Sequence, residues 1–207
     1  SNEYYETSKW DLVRQDICMK FGYYVTESSE HTSEYTPWYI KSKYPELIDR
    51  YRIPLDEYPR RCVRQINDWK EQQKQITGEG VTHEKSMEFA SGIIKGVLNN
   101  IPFIVYGNVL NKGYITNLPE GACVEVKCVV DKVGVNPTFV GDIPEQCAAI
   151  NRTNINVQNM TIKAMREHRK DYVYMAAYLD PHTQSELSMD DIKAMCDDLF
   201  EAHKDWL

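Results

Sequence analysis

Nine consecutive positions, Glu27 to Tyr35, read ESSEHTSEY and set three carboxylates, an imidazole, a phenol and four hydroxyls side by side. The chemistry such a set can do is proton transfer. His31 ionises near neutral pH and is the natural general base, while Tyr35 or Glu30 could take that part if burial moved its pKa. A run this polar is unsuited to a core strand, so it lines a site or faces water. The rings around it, Phe21, Tyr23 and Tyr24 before and Trp38 and Tyr39 after, favour a site, because exposed loops seldom carry so many aromatics. The plain alternative for His31 is a surface imidazole paired with Glu30 or Glu34. A metal is a weaker reading. Glu27-x-x-Glu30-His31 departs from the inverted zinc motif His-x-x-Glu-His at its first position, and the other histidines have no ligand spacing, so no self-sufficient metal site is expected.

Other chemistries lack their motifs. No GxGxxG opens a strand-to-helix turn, Gly78-Glu79-Gly80 lies in a polar stretch without a preceding strand, and neither a Walker sequence nor a G-x-S-x-G elbow occurs. Six cysteines are scattered without any CxxC spacing, the pattern of free buried thiols and not of a disulfide scaffold. The net charge of -7 argues against nucleic acid or an anionic membrane as partner. No apolar run approaches a membrane span and no charged-then-apolar leader opens the chain, so a cytoplasmic location is expected. At 207 residues and 42% hydrophobic the chain is sized for one large domain or two small ones, long enough to bury a sizeable core.

The elements that must hold the polar run follow from periodicity. Trp10, Val13, Ile17 and Phe21 predict a helix over 9–20, with Thr7 or Ser8 as cap and Gly22 past its end. Short helices are expected over 45–51 and from Leu55 toward Trp69, the second carrying Arg60, Arg61 and Arg64 as a solvated face paired with Asp56, Glu57 and Asp68. Residues 71–84 read as a mobile loop because they are polar and contain glycine. Met87, Ala90, Ile93, Ile94, Val97 and Leu98 predict a core helix. Then the period changes: 101–110 reads as a strand, Val124, Val126, Cys128 and Val130 alternate with Glu125 and Lys127 as a half-buried antiparallel strand, and 135–140 as a short third. Helices return after Pro144, over 171–179, and after Ser188, which with Asp191 suits a cap. The expected class is α+β: helices around a small, mostly antiparallel sheet.

Five ordered blocks, FGYYVTESSEHTSEYTPW, IPLDEYPRRC, GNVLNKGYITNLPEGACVEV, NPTFVGDIPEQCAAINRTNINVQ and EAHKDWL, resemble the carboxyl-terminal half of glycoside hydrolase family 4, within it the α-galactosidase and α-uronidase branch. The resemblance implies an LDH-like carboxyl-terminal substrate domain with no Rossmann domain in this chain. It implies a glycosidase using NAD and Mn2+: oxidation of the sugar at C3, loss of the acidified C2 proton to a base, elimination, water addition and return of the hydride. NAD and metal ligands would belong to an amino-terminal Rossmann half, so this chain alone is expected to bind no cofactor and turn over no sugar. Other branches of the family carry a tyrosine or aspartate as base in roughly this stretch. Here Ser28, His31 and Tyr35 are candidates, with Glu30 as helper, Glu27, Ser28 and Ser29 as sugar contacts, and Asn108 and Asn111 either as sugar contacts or as turn residues. Homo-oligomerisation is expected, and a non-catalytic oligomerisation module that kept the fold is the alternative.

Overall fold

A computed structural model describes residues 10–78 and 86–206. The proposed caps Thr7 and Ser8 and the end of the expected loop therefore lie outside the described residues. Helix α1 runs Leu12–Phe21 and ends on Gly22, whose φ of 83° needs no Cβ. Helix α2 covers Ser29–Glu34 and α3 Glu46–Tyr51. Val13 and Ile17 on α1 pack with Tyr39, Tyr51 and Ile53 in one small core. The Tyr39 hydroxyl donates to the buried Asp16 carboxylate at 2.9 Å, and its ring meets Tyr51 edge-on at 4.9 Å.

The second core sits on a sheet of three strands, β1 Phe103–Leu110, β2 Cys123–Asp131 and β3 Gly134–Pro137, in that order and antiparallel throughout. The alternation read from sequence holds residue by residue: Val124, Val126, Cys128 and Val130 are buried while Glu125 and Lys127 are exposed. Their face is covered by α5, Ala90–Asn99, and by Ala148 and Ile155 of α6, which runs Glu145–Glu167 without a break. Three helices close the chain: α7 Lys170–Leu179, α8 Pro181–Glu186 and α9 Met189–Ala202. Ser188 caps α9 in a full capping box with Asp191. The expected class, helices around a small antiparallel sheet, is what the fold shows.

Two expectations are corrected. The loop read over 71–84 begins too early, since helix α4 spans Glu57–Thr77; Glu, Gln and Lys are polar but good helix formers. The helix read over 171–179 ends at Leu179 as expected, and Pro181 starts α8, with the Asp180 carboxylate accepting from the Thr183 N–H. Of the large residues of α5 only Ile93 packs on the sheet core. Ile94, Val97 and Leu98 are exposed, and the helix docks through glycine: a Cβ on Gly92 would lie 2.4 Å from the Phe103 ring, and one on Gly96 3.0 Å from the Val130 carbonyl oxygen. Because the second obstacle is backbone, Gly96→Ala is expected to cost about 1–3 kcal/mol as an overpacked contact, measured by urea denaturation; an unchanged midpoint would mean the helix is not held this closely.

Helix α4 stands apart. Tyr58, Cys62, Ile66, Trp69 and Ile76 share one side of it at helical spacing, yet Tyr58 is 74% and Trp69 54% exposed. Ile66 and Ile76 are exposed as well, and only Cys62 is half-buried. None of the described helices is long and apolar enough to cross a membrane.

Candidate functional site

The polar run read as the site is a single short helix with two faces. Ser28 is its N-cap, its hydroxyl accepting from the His31 N–H at 3.2 Å. Ser29, Thr32, Ser33 and Thr36 are buried at helical spacing, and the last three hydroxyls find local partners. Ser33 donates to the Glu30 carbonyl at 2.5 Å and Thr36 to the Thr32 carbonyl at 2.8 Å, the back-bonding that lets serine and threonine enter a protein interior. Sequence reasoning missed this inner face, although the hydroxyls themselves carried the 3.6-residue period. The opposite face holds the ionisable groups: Glu27 and Glu34 exposed, Glu30 and His31 half-buried, and Tyr35 closing the helix at 46% exposure.

What positions α2 is a buried carboxylate that sequence reasoning also missed. Asp11, 2% exposed, accepts from Arg14 Nε at 2.5 Å, from Ser29 Oγ at 2.9 Å and from the Tyr24 hydroxyl. Arg14 reaches on toward the carbonyls of Val25 and Thr26, both at 3.4 Å, and its guanidinium lies over the Tyr24 ring at 4.8 Å. Burial works against the Asp11 charge, but the hydrogen bonds from Arg14, Tyr24 and Ser29 outweigh it and hold the carboxyl below its usual pKa. The start of α2 is thereby tied to the start of α1. Arg61 of α4 adds a looser tie, 3.6 Å from Glu30.

On the outer face His31 Nδ1 lies 2.9 Å from Glu34 Oε2, one of the two partners expected for a surface imidazole. The ring stacks on Tyr35 with centroids 5.9 Å apart and planes 15° from parallel. The hydrogen bond to Glu34 raises the His31 pKa above its ordinary 6.5; burial opposes this, and the charges of Glu34, Glu27 and Glu30 add to it. Burial, Glu27 and Glu34 push the Tyr35 phenol above 10. His31 therefore exchanges a proton nearer neutral pH than Tyr35 does. The pair with Glu34 stabilises the protonated ring, so its contribution is complete below the unfolded histidine value and disappears as pH rises through the raised folded one. Glu34→Gln is expected to lower the midpoint of His31, followed by its ring protons in an NMR titration of the chain; an unmoved midpoint would remove Glu34 from the pair.

The remaining candidates separate. Ser29 faces inward onto Asp11, which places it among the groups that hold the helix. Asn108 is on β1, exposed and opposite Glu125, not in a turn. Asn111 is 1% exposed and organises the loop after β1: its amide donates to the carbonyls of Ile115, Leu118 and Pro119 and accepts from the Ile115 N–H. Of the two roles weighed for Asn111 from sequence, this geometry is that of the turn residue.

Among the described residues no arrangement fits either cofactor of the resembled family. Ligand atoms of Glu30, His31 and Glu34 lie within 4.8 Å of one another, and carboxylates with an imidazole suit a divalent ion. But all three come from one helix face, His31 and Glu34 already bond to each other, and Glu30 faces Arg61. A strictly antiparallel sheet has no strand-turn-helix crossover of the kind that cradles a dinucleotide.

Beyond Tyr35 a cavity of about 460 Å3 opens between the end of α1, the segment following α2, α6 and α8. A smaller one of about 200 Å3 adjoins Ser28, Ser29 and Glu30. Helix α2 thus has a cavity at each end, with His31 between them.

Comparison with known proteins agrees with this architecture. The chain is 56% identical over 208 residues to an alpha-galactosidase of Bacillus subtilis (strain 168), covering all of this chain and 48% of that protein. The crystal structure of lplD from Bacillus subtilis, described as a glucosidase, superimposes with a TM-score of 0.80 at 21% identity over 94% of this chain and 44% of that one. A 6-phospho-alpha-glucosidase from gut microorganisms, solved with NAD and Mn2+, gives 0.63 at 18% identity over 93% and 42%. The chain spans less than half the length of three curated relatives it matches, 48%, 43% and 42%. Residues 1–183 match the family 4 glycosyl hydrolase C-terminal domain, and the chain belongs to that family.

Proposed function

We propose that this chain is the substrate-side half of an α-glycosidase acting on α-galactosides or α-uronides, with the outer face of α2 as the wall against which the sugar lies. The observation that carries the proposal is the construction of that helix: four hydroxyls are buried, three bonded to nearby carbonyls and Ser29 to Asp11, so that Glu27, Glu30, His31, Glu34 and Tyr35 all project together. The 56% identity to an alpha-galactosidase supports the substrate class. NAD and manganese, present in the solved 6-phospho-alpha-glucosidase, would be held by residues outside this chain and supply the redox chemistry and the polarisation of the sugar oxygens. This chain's own part is to orient the sugar and to take a carbon-bound proton. His31 is the base, with Nδ1 engaged by Glu34 and Nε2 left to exchange the proton; Glu30 and Tyr35 flank it, and Glu27 and Ser28 contact the sugar's hydroxyls.

The test is a domain exchange. Replacing the carboxyl-terminal half of the Bacillus subtilis alpha-galactosidase with this chain is expected to yield an enzyme that hydrolyses α-galactosides in the presence of NAD and Mn2+, whereas the chain alone turns over none. A folded exchange protein without activity on any α-galactoside or α-uronide would overturn the proposal.

A second reading, an oligomerisation module, draws on the bare stripe of α4. Both readings place a partner on that stripe, and a homo-oligomer covering it fits either. Ile66→Asp with Trp69→Asp is expected to lower the light-scattering mass to that of a monomer; catalysis by the exchange protein then separates the two.

A further inference from the structure

The larger cavity has walls of one character. Phe21 and Trp38 meet with ring centroids 5.4 Å apart and planes tilted by 35°, and Ile150 and Ala149 of α6 continue the surface. No residue lining it carries a formal charge. The Gln146 amide donates to the Phe21 carbonyl at 3.0 Å, which leaves the amide of Gln184 at the rim. Trp38 forms a wall and is still 40% exposed, so the chain as it stands presents an indole face to water. The volume lies in the range of small-molecule sites, roughly 300–1,000 Å3.

Uncharged aromatic walls suit a ring offered by its π or C–H face and are unsuited to a phosphate or carboxylate, which would leave its charge without a partner. The position of the cavity says which ring. Tyr35 is shared: it lines the cavity and stacks on His31. A molecule with one ring against His31 passes Tyr35 and puts its next ring into the cavity.

We infer that this cavity is the leaving-group subsite, holding the ring joined through the glycosidic oxygen, either an aryl group or the C–H face of a second sugar. The inference rests on the reading of the outer face of α2 as the sugar wall. It places residues that select the leaving group in this chain.

Binding to the purified chain tests it, with the Trp38 indole N–H resonance, assigned by Trp38→Phe, as reporter. The probes are phenyl α-galactoside, an α-galactosyl disaccharide, methyl α-galactoside and phenol. Phenyl α-galactoside, the disaccharide or both are expected to move the Trp38 resonance and to bind about tenfold more tightly than methyl α-galactoside, the order of gain for taking one ring face out of water. Whichever does so identifies the ring. Ala149→Phe, which fills the cavity from an exposed position on α6, is expected to abolish that difference and leave methyl α-galactoside unaffected. If all three glycosides bind equally and Trp38 does not move, the subsite is overturned while the sugar wall stands. If phenol binds as tightly as phenyl α-galactoside, the sugar contributes nothing, and the subsite falls together with the reading of α2.

Discussion

Replacing His31 with alanine in the exchanged enzyme is expected to lower kcat by about a hundred- to ten-thousand-fold, the usual worth of a general base. The loss should fall on kcat more than on KM, because the proposed sugar contacts, Glu27 and Ser28, remain. Added imidazole should restore part of the rate, since the missing group is a proton acceptor and not a strut. Tyr35→Phe should cost far less, because burial and the neighbouring carboxylates keep that phenol protonated near neutral pH. With His31 as base, the rate should rise with pH through a midpoint above 6.5, and Glu34→Gln should move that limb to lower pH.

The second large effect is on stability. Asp11→Ala is expected to cost about 3–5 kcal/mol, the range for removing one partner of a buried ion pair. The side chains of Asp11 and Arg14 are 3% and 13% exposed, so the guanidinium would be left short of its counter-charge, and Ser29 and Tyr24 would lose their acceptor. Urea denaturation of the chain measures this. The carboxyl has a lowered folded pKa, so its stabilisation is present above the unfolded value near 3.8 and is lost as pH falls through the folded one. In the exchanged enzyme the same substitution should weaken catalysis by loosening the helix that carries His31, and imidazole should not restore it. A variant as stable as the parent would show that α2 is held by something else.

How far the sequence reveals this protein depends on where its pattern is apolar. The strand Cys123–Asp131 is legible because one face is valine and cysteine and the other charged, and burial follows that alternation. The caps at Gly22 and Ser188 are legible because their chemistry is local. Helix α2 hides its period in hydroxyls: reading for apolar residues finds none, although Ser29, Thr32, Ser33 and Thr36 turn inward. Helix α5 misleads in the opposite sense, since Ile94, Val97 and Leu98 face out and, beside Ile93, two glycines make the closest contacts. Asp11 could not be read at all, for its partners lie three, thirteen and eighteen residues away. The candidate site was found by residue type, and its geometry required the fold.

The most direct test of His31 as the base that takes a proton from the sugar is hydrolysis in D2O by the exchanged enzyme, with deuterium at C2 of the released sugar read by mass spectrometry and NMR. The account predicts deuterium at C2 with the parent chain and its near disappearance, on the same time scale, with His31→Ala. Unlabelled sugar from the active parent, or equal labelling rates in both, would contradict it.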